Sequence, residues 1–163
     1  MAERIFRNRK VRKKNVEVER NLRMVAQKIF SVEEERQQRY KAVRKLRNEP
    51  TEEHLWEVVL LYSGVNFKTY SGLLFFYEIK KGRNGEYTKE LWIDRRENSK
   101  SLTWSSVLLA MRNVKKVGAV VERPKALGDI RGVTYIYGMF YRFGLIDVPD
   151  KVKEKMKNYE CIH

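Results

Sequence analysis

The chain has 163 residues, 35 Lys or Arg against 21 Asp or Glu, and a formal net charge of +14. That balance points to polyanionic partners and says little about fold. A single cysteine, Cys161, excludes an intrachain disulfide framework, and no apolar run approaches the roughly 18 residues of a membrane span.

The charge is not spread evenly. Residues 1–50 hold 16 Lys or Arg against 7 Asp or Glu, and the remaining residues hold 19 against 14. Residues 3–30 read as a long polar helix. Val18, Leu22, Val25 and Ile29 fall on one thin apolar stripe, with Val11, Val16 and Phe30 scattered around it. Upstream of Val11 the stripe fades, and the first ten or so residues are expected to be disordered unless bound. Arg4, Arg7, Arg9, Lys10, Arg12, Lys13 and Lys14 face a single acid there, Glu3. Such a segment neutralises phosphates and releases counterions, giving salt-sensitive contact without sequence information. The plainer alternative is a solvated helix face.

Ser31 and Glu34 have capping-box spacing, which predicts a break and a second helix over 32–48. That helix would carry Glu33, Glu34 and Glu35 at its start and Arg44, Lys45 and Arg47 at its end, complementing its dipole. Pro50 ends it, and Thr51 caps a third helix over about 52–63, the first segment apolar enough to anchor a core.

Leu73–Lys80 and Tyr87–Asp94, around Gly82-Arg83-Asn84-Gly85, predict a β-hairpin. If Lys81 faces Glu86, then Phe75 lies opposite Trp92 and Glu78 opposite Lys89. A strand near Phe67–Tyr70 would add a third. A basic loop follows, and Thr103 is expected to cap a helix over about 104–117 whose stripe is Trp104, Val107, Leu108, Met111 and Val114. Pro124–Gly128 forms a single turn after a short strand at Ala119–Val121. Gly132 precedes an aromatic helix, Val133–Phe143, and Pro149 starts a last charged helix over about 150–158. The aromatics Tyr135, Tyr137, Phe140, Tyr141 and Phe143 have core spacing, with base stacking as the alternative.

The expected fold is therefore α+β. A basic arm of two helices (1–50) precedes a domain (51–148) with a hairpin or three-stranded antiparallel sheet packed by about three helices, and a charged helix or tail (149–163) follows.

A second candidate site joins Arg95, Arg96 and Lys100 to Ser101 and Thr103 at a helix N-terminus, with Arg112, Lys115 and Lys116 along the exposed face. A recognition helix with a hairpin wing would look similar, but three helices do not precede the wing in the required order. Ordinary capping plus surface charge is the alternative.

Enzymatic signals are thin. Glu78-Ile79-Lys80 matches the Glu-x-Lys element of Mg²⁺-dependent nucleases, yet no Asp occurs before Asp94. His54 and His163 share no ligand spacing with Cys161, and no Gly-rich nucleotide loop is present. The expectation is a protein without catalytic residues, metal or small-molecule cofactor, having no membrane partner and acting in the cytoplasm.

The pattern Ser71-Gly72-Leu73 with Phe75, Tyr77, Ile79 and Lys80, then Asp94-Arg95-Arg96 and Ser99-Lys100-Ser101-Leu102-Thr103, continues in Pro124-Lys125-Ala126-Leu127-Gly128 and in Tyr135-Ile136-Tyr137 through Gly144-Leu145-Ile146. It resembles a family of small proteins from phages and mobile elements of Gram-positive bacteria. The resemblance covers residues 71–146 and carries no known activity. It implies a bacterial host cell and two roles: a DNA- or RNA-binding accessory factor, or an anti-CRISPR-type inhibitor that docks on a Cas nuclease holding its guide RNA.

Overall fold

The computed structural model describes residues 2–95 and 101–157, with the side chains of residues 2–10 excepted. The chain divides into two compact units, Met1–Tyr40 and Lys41–His163.

Helix α1 runs unbroken over Ala2–Asn48. It contains neither Gly nor Pro and is rich in Arg, Lys, Glu and Gln, all good helix formers. Pairs four residues apart support it, with Gln37 donating to Glu33 at 3.0 Å and Arg39 to Glu35 at 3.4 Å. The expected break at Ser31 is corrected. The Ser31 hydroxyl donates to the Lys28 carbonyl at 2.9 Å, the back-bonding of a mid-helix serine. A capping box needs a chain entering the helix from extended backbone, and nothing ahead of Ser31 leaves helical geometry. Helical backbone begins at Ala2.

The last two turns of α1 belong to the second unit, where Ala42 and Leu46 are buried. Pro50 ends the helix, and α2 covers Glu52–Leu61. As expected, the Thr51 hydroxyl accepts from the His54 N–H at 3.2 Å, and Glu52 and Glu53 occupy the first turn.

Two small antiparallel sheets follow. Strand β1 (Phe67–Lys68) pairs with β2 (Leu74–Phe75), setting Phe67 against Phe75. Strands β3 (Tyr77–Glu78), β4 (Glu90–Ile93) and β5 (Leu102–Thr103) form the second sheet in the order β3-β4-β5. The expected register is corrected here. Leu73–Lys80 is not one strand: it changes sheets at Phe76, whose N–H donates to the Asp94 carboxylate at 2.9 Å. Glu78 lies opposite Trp92, while nearer the turn Lys81 pairs with Tyr87, so two extra residues are accommodated on the second strand. Lys89 accordingly leaves Glu78 and meets Glu52 at 3.7 Å.

Helix α3 covers Trp104–Val114 and buries Trp104, Val107 and Ala110. A 3₁₀ turn at Pro124–Leu127 precedes α4 (Val133–Arg142), and α5 covers Asp150–Met156. The core is aromatic. Phe67 stacks on Phe75 and Tyr77 at 5.5 and 5.6 Å and meets Phe143 edge-on at 5.8 Å. Two buried tyrosines tie elements together: the Tyr77 hydroxyl donates to the Val59 carbonyl and the Tyr137 hydroxyl to that of Val121, both at 2.6 Å. Helix α4 lies so close to β1 that a methyl group on Gly138 would collide with the Lys68 carbonyl and come within 3.2 Å of the Phe75 ring. Tyr137 and Phe140 of α4, and Phe143 just beyond it, are buried in the core as their spacing implied, with Tyr135 and Tyr141 half-buried against it. Among the described residues, no helix is long and apolar enough to cross a membrane.

Candidate nucleic-acid interface

An unbroken helix places the arm's charges by angle alone. At about 100° per residue, Arg12, Lys13, Arg20 and Arg23 gather on one face. All four are exposed, as are Lys14 and Lys28. None of these six cations takes part in an ion pair among the described residues, while farther along Arg36 meets Glu33 at 4.0 Å and Arg39 meets Glu35 at 3.4 Å. The charge is therefore open for an external anion over residues 12–28 and internally compensated over 33–39. Arg4, Arg7, Arg9 and Lys10 lie on the helical backbone of α1, and their side chains lie outside the described residues.

The loop-helix candidate is divided by the structure. Arg96 and Lys100 lie outside the described residues. Thr103 does precede α3, but its hydroxyl is paired with those of Ser105 and Ser106 at 3.1 and 2.9 Å. Glu52 sits at the same helix end, accepting from the Trp104 indole N–H at 2.9 Å, and this carboxylate makes the site less welcoming to phosphate. Ser101 is half-buried. Arg112, Lys115 and Lys116 are exposed at the opposite end of α3, about 15 Å along its axis. They extend the basic surface without completing a cup at the N-terminus.

Arg95 instead shares a polar groove of about 550 Å³ with Lys125, Ser71, Thr134 and Asp129. Gly132, at φ 77°, turns the chain into α4 on its wall, and a side chain there would meet Leu102 at 2.8 Å. Thr69 on the same wall is satisfied locally, accepting from the Leu73 N–H at 3.1 Å. Sequence reasoning missed Lys125 and Ser71 as companions of Arg95, because only the folded chain brings these distant residues together.

A second groove, about 780 Å³, contains Arg47, Arg142, Lys157 and Asp147. Arg142 is structural: its guanidinium donates to the Asn66 carbonyl and lies 5.3 Å from the Phe67 ring.

Glu78 is exposed, and Lys80 spreads over the Trp92 ring at 4.1 Å. Among the described residues, no three His, Cys, Asp or Glu side chains converge as metal ligands. Comparison of the chain with known protein families, with curated proteins and with solved structures found no match.

Proposed function

We propose that the chain is a non-enzymatic nucleic-acid-binding protein that lays the basic face of α1 along a phosphate backbone. The observation that carries this reading is the face formed by Arg12, Lys13, Arg20 and Arg23, all exposed and without an acidic partner among the described residues. Arg is prominent in that set, and its planar fork suits phosphate. Arg95 and Lys125 offer a second, smaller anion-attracting surface on the folded domain.

Four phosphate contacts on duplex DNA correspond to a slope of about −4 in log K against log salt, or about a hundredfold loss between 50 and 200 mM. A gel-shift panel with single- and double-stranded DNA and RNA tests the reading. Retardation at low salt that disappears steeply with added salt supports it. No retardation of any nucleic acid at low salt overturns it, and capture of a Cas nuclease with its guide RNA instead would move the conclusion to the inhibitor role.

A further inference from the structure

We infer that residues 11–32 of α1 are a self-association seam, a parallel, in-register, two-stranded coiled coil between two copies of this chain. Because α1 has no break, its apolar residues can be placed on a heptad frame. Val11, Val18, Val25 and Val32 occupy d, Leu22 and Ile29 occupy a, and Asn15 fills the remaining a position. The spacing alternates strictly between four and three residues from Val18 to Val32. All six apolar side chains are exposed, from 55% for Val18 and Val25 to 64% for Leu22 and Ile29. Val16, Met24 and Phe30 are also exposed but lie off the frame.

The flanking charges name the occupant. In a parallel in-register pair, each g side chain meets the e side chain five residues on in the other copy. Lys14 and Lys28 stand at g, and Glu19 and Glu33 stand at e, so Lys14 faces Glu19 and Lys28 faces Glu33 across the seam, twice each by symmetry, with Glu33 sharing its charge between Lys28 and the Arg36 and Gln37 of its own helix. Between them Asn21 faces Ala26, which is neutral. Asn15 then meets Asn15 of the other copy, where two amides can satisfy one another. The antiparallel arrangement that best matches these charges sets Asn15 against Val32 and leaves its amide unpaired. Val at every d position pulls toward more than two strands, and the buried Asn15 at a is the residue that sets register and holds the pair at two. The seam ends where Arg36 and Arg39 take the next a and d positions.

The basic face lies roughly opposite the seam, so pairing leaves Lys13, Arg20 and Arg23 accessible. It would bring two basic N-terminal segments to the same end, an arrangement suited to straddling one duplex.

Sedimentation velocity on the full chain without nucleic acid, at tens of micromolar and moderate salt, should give the mass of two chains. A monomer there, or a stable trimer or tetramer, overturns the inference. Orientation is read by Val18→Cys in a Cys161→Ser background. Oxidation should link two chains in a parallel register, and a dimer that does not link overturns it. Partner choice is read with exposed charges alone. Lys14→Glu with Lys28→Glu, and separately Glu19→Lys with Glu33→Lys, should each weaken self-association roughly tenfold or more, and mixing the two variants should restore it. Unchanged self-association of either variant counts against the seam. Measured without nucleic acid, this result stands or falls separately from phosphate binding.

Discussion

Two leucines on α1 have opposite surroundings, and replacing each by alanine separates their roles. Leu46 is fully buried in the core of the second unit, while Leu22 is 64% exposed. Leu46→Ala removes a buried side chain and leaves a cavity in the hydrophobic core, at a cost of about 2–5 kcal/mol. With a urea dependence of about 1–3 kcal/mol per molar, a loss near 3 kcal/mol lowers the unfolding midpoint by about 1–3 M. Leu22→Ala removes no contact of the domain core and, at concentrations below those of self-association, should stay within about 0.5 kcal/mol. Tryptophan fluorescence is the suitable signal, because Trp56, Trp92 and Trp104 all belong to the second unit. Equal midpoints for Leu46→Ala and the unaltered chain, or an equal loss in Leu22→Ala, would refute the assignment of the last turns of α1 to the domain core.

Gly138→Ala should destabilise the domain by about 1–3 kcal/mol in the same assay, since its methyl group meets the Lys68 carbonyl; a neutral or stabilising result would show that α4 and β1 can separate. Tyr77→Phe strips the Val59 carbonyl of its donor and should cost about 1–3 kcal/mol. Burial raises the Tyr77 phenol well above its usual value of 10.0. An acid held protonated by the fold contributes stability below its unfolded pKa and loses it as pH rises toward the folded value, so stability should fall above about pH 10. Urea midpoints across that range should fall less steeply in Tyr77→Phe, and an unchanged slope contradicts the assignment. Asp147 has the opposite sign. Its bonds from Lys153 at 3.0 Å and from the Val148 N–H at 2.9 Å hold its pKa below the usual 3.8. That contribution is present above the unfolded value and lost as pH falls through the folded one, so Asp147→Asn should flatten the acid limb slightly. For the second basic surface, Arg95→Glu with Lys125→Glu should weaken nucleic-acid binding less than neutralising the arm does; fluorescence anisotropy of a labelled duplex ranks the two, and the reverse order would shift the main contact to the groove.

Much of the helical structure was legible because its signals are local. Thr51 and the two following glutamates mark the start of α2, and the Trp104–Val114 stripe marks α3 through its period. The sheets were less legible. Strands of two to four residues carry little periodic information, and the change of sheets at Phe76 depends on an Asp94 contact 18 residues away. Strand β5 was hidden because Leu102 and Thr103 look like a helix lead-in until Leu91 is seen beside them. Ser31 misled for a different reason: serine with a glutamate three residues on describes a cap only where the preceding chain has left the helix. Of the candidate site, the arm was visible as a charge excess. The convergence of Arg95 with Lys125 was not, since no local pattern links residues that distant.

The most direct test of the arm's role is the salt dependence of duplex binding by the full chain, compared with a variant carrying Arg12→Gln, Lys13→Gln, Arg20→Gln and Arg23→Gln. Phosphate contact through α1 predicts a slope shallower by about 3 to 4 in the variant, with helix content unchanged by circular dichroism. The same slope in both proteins would contradict it.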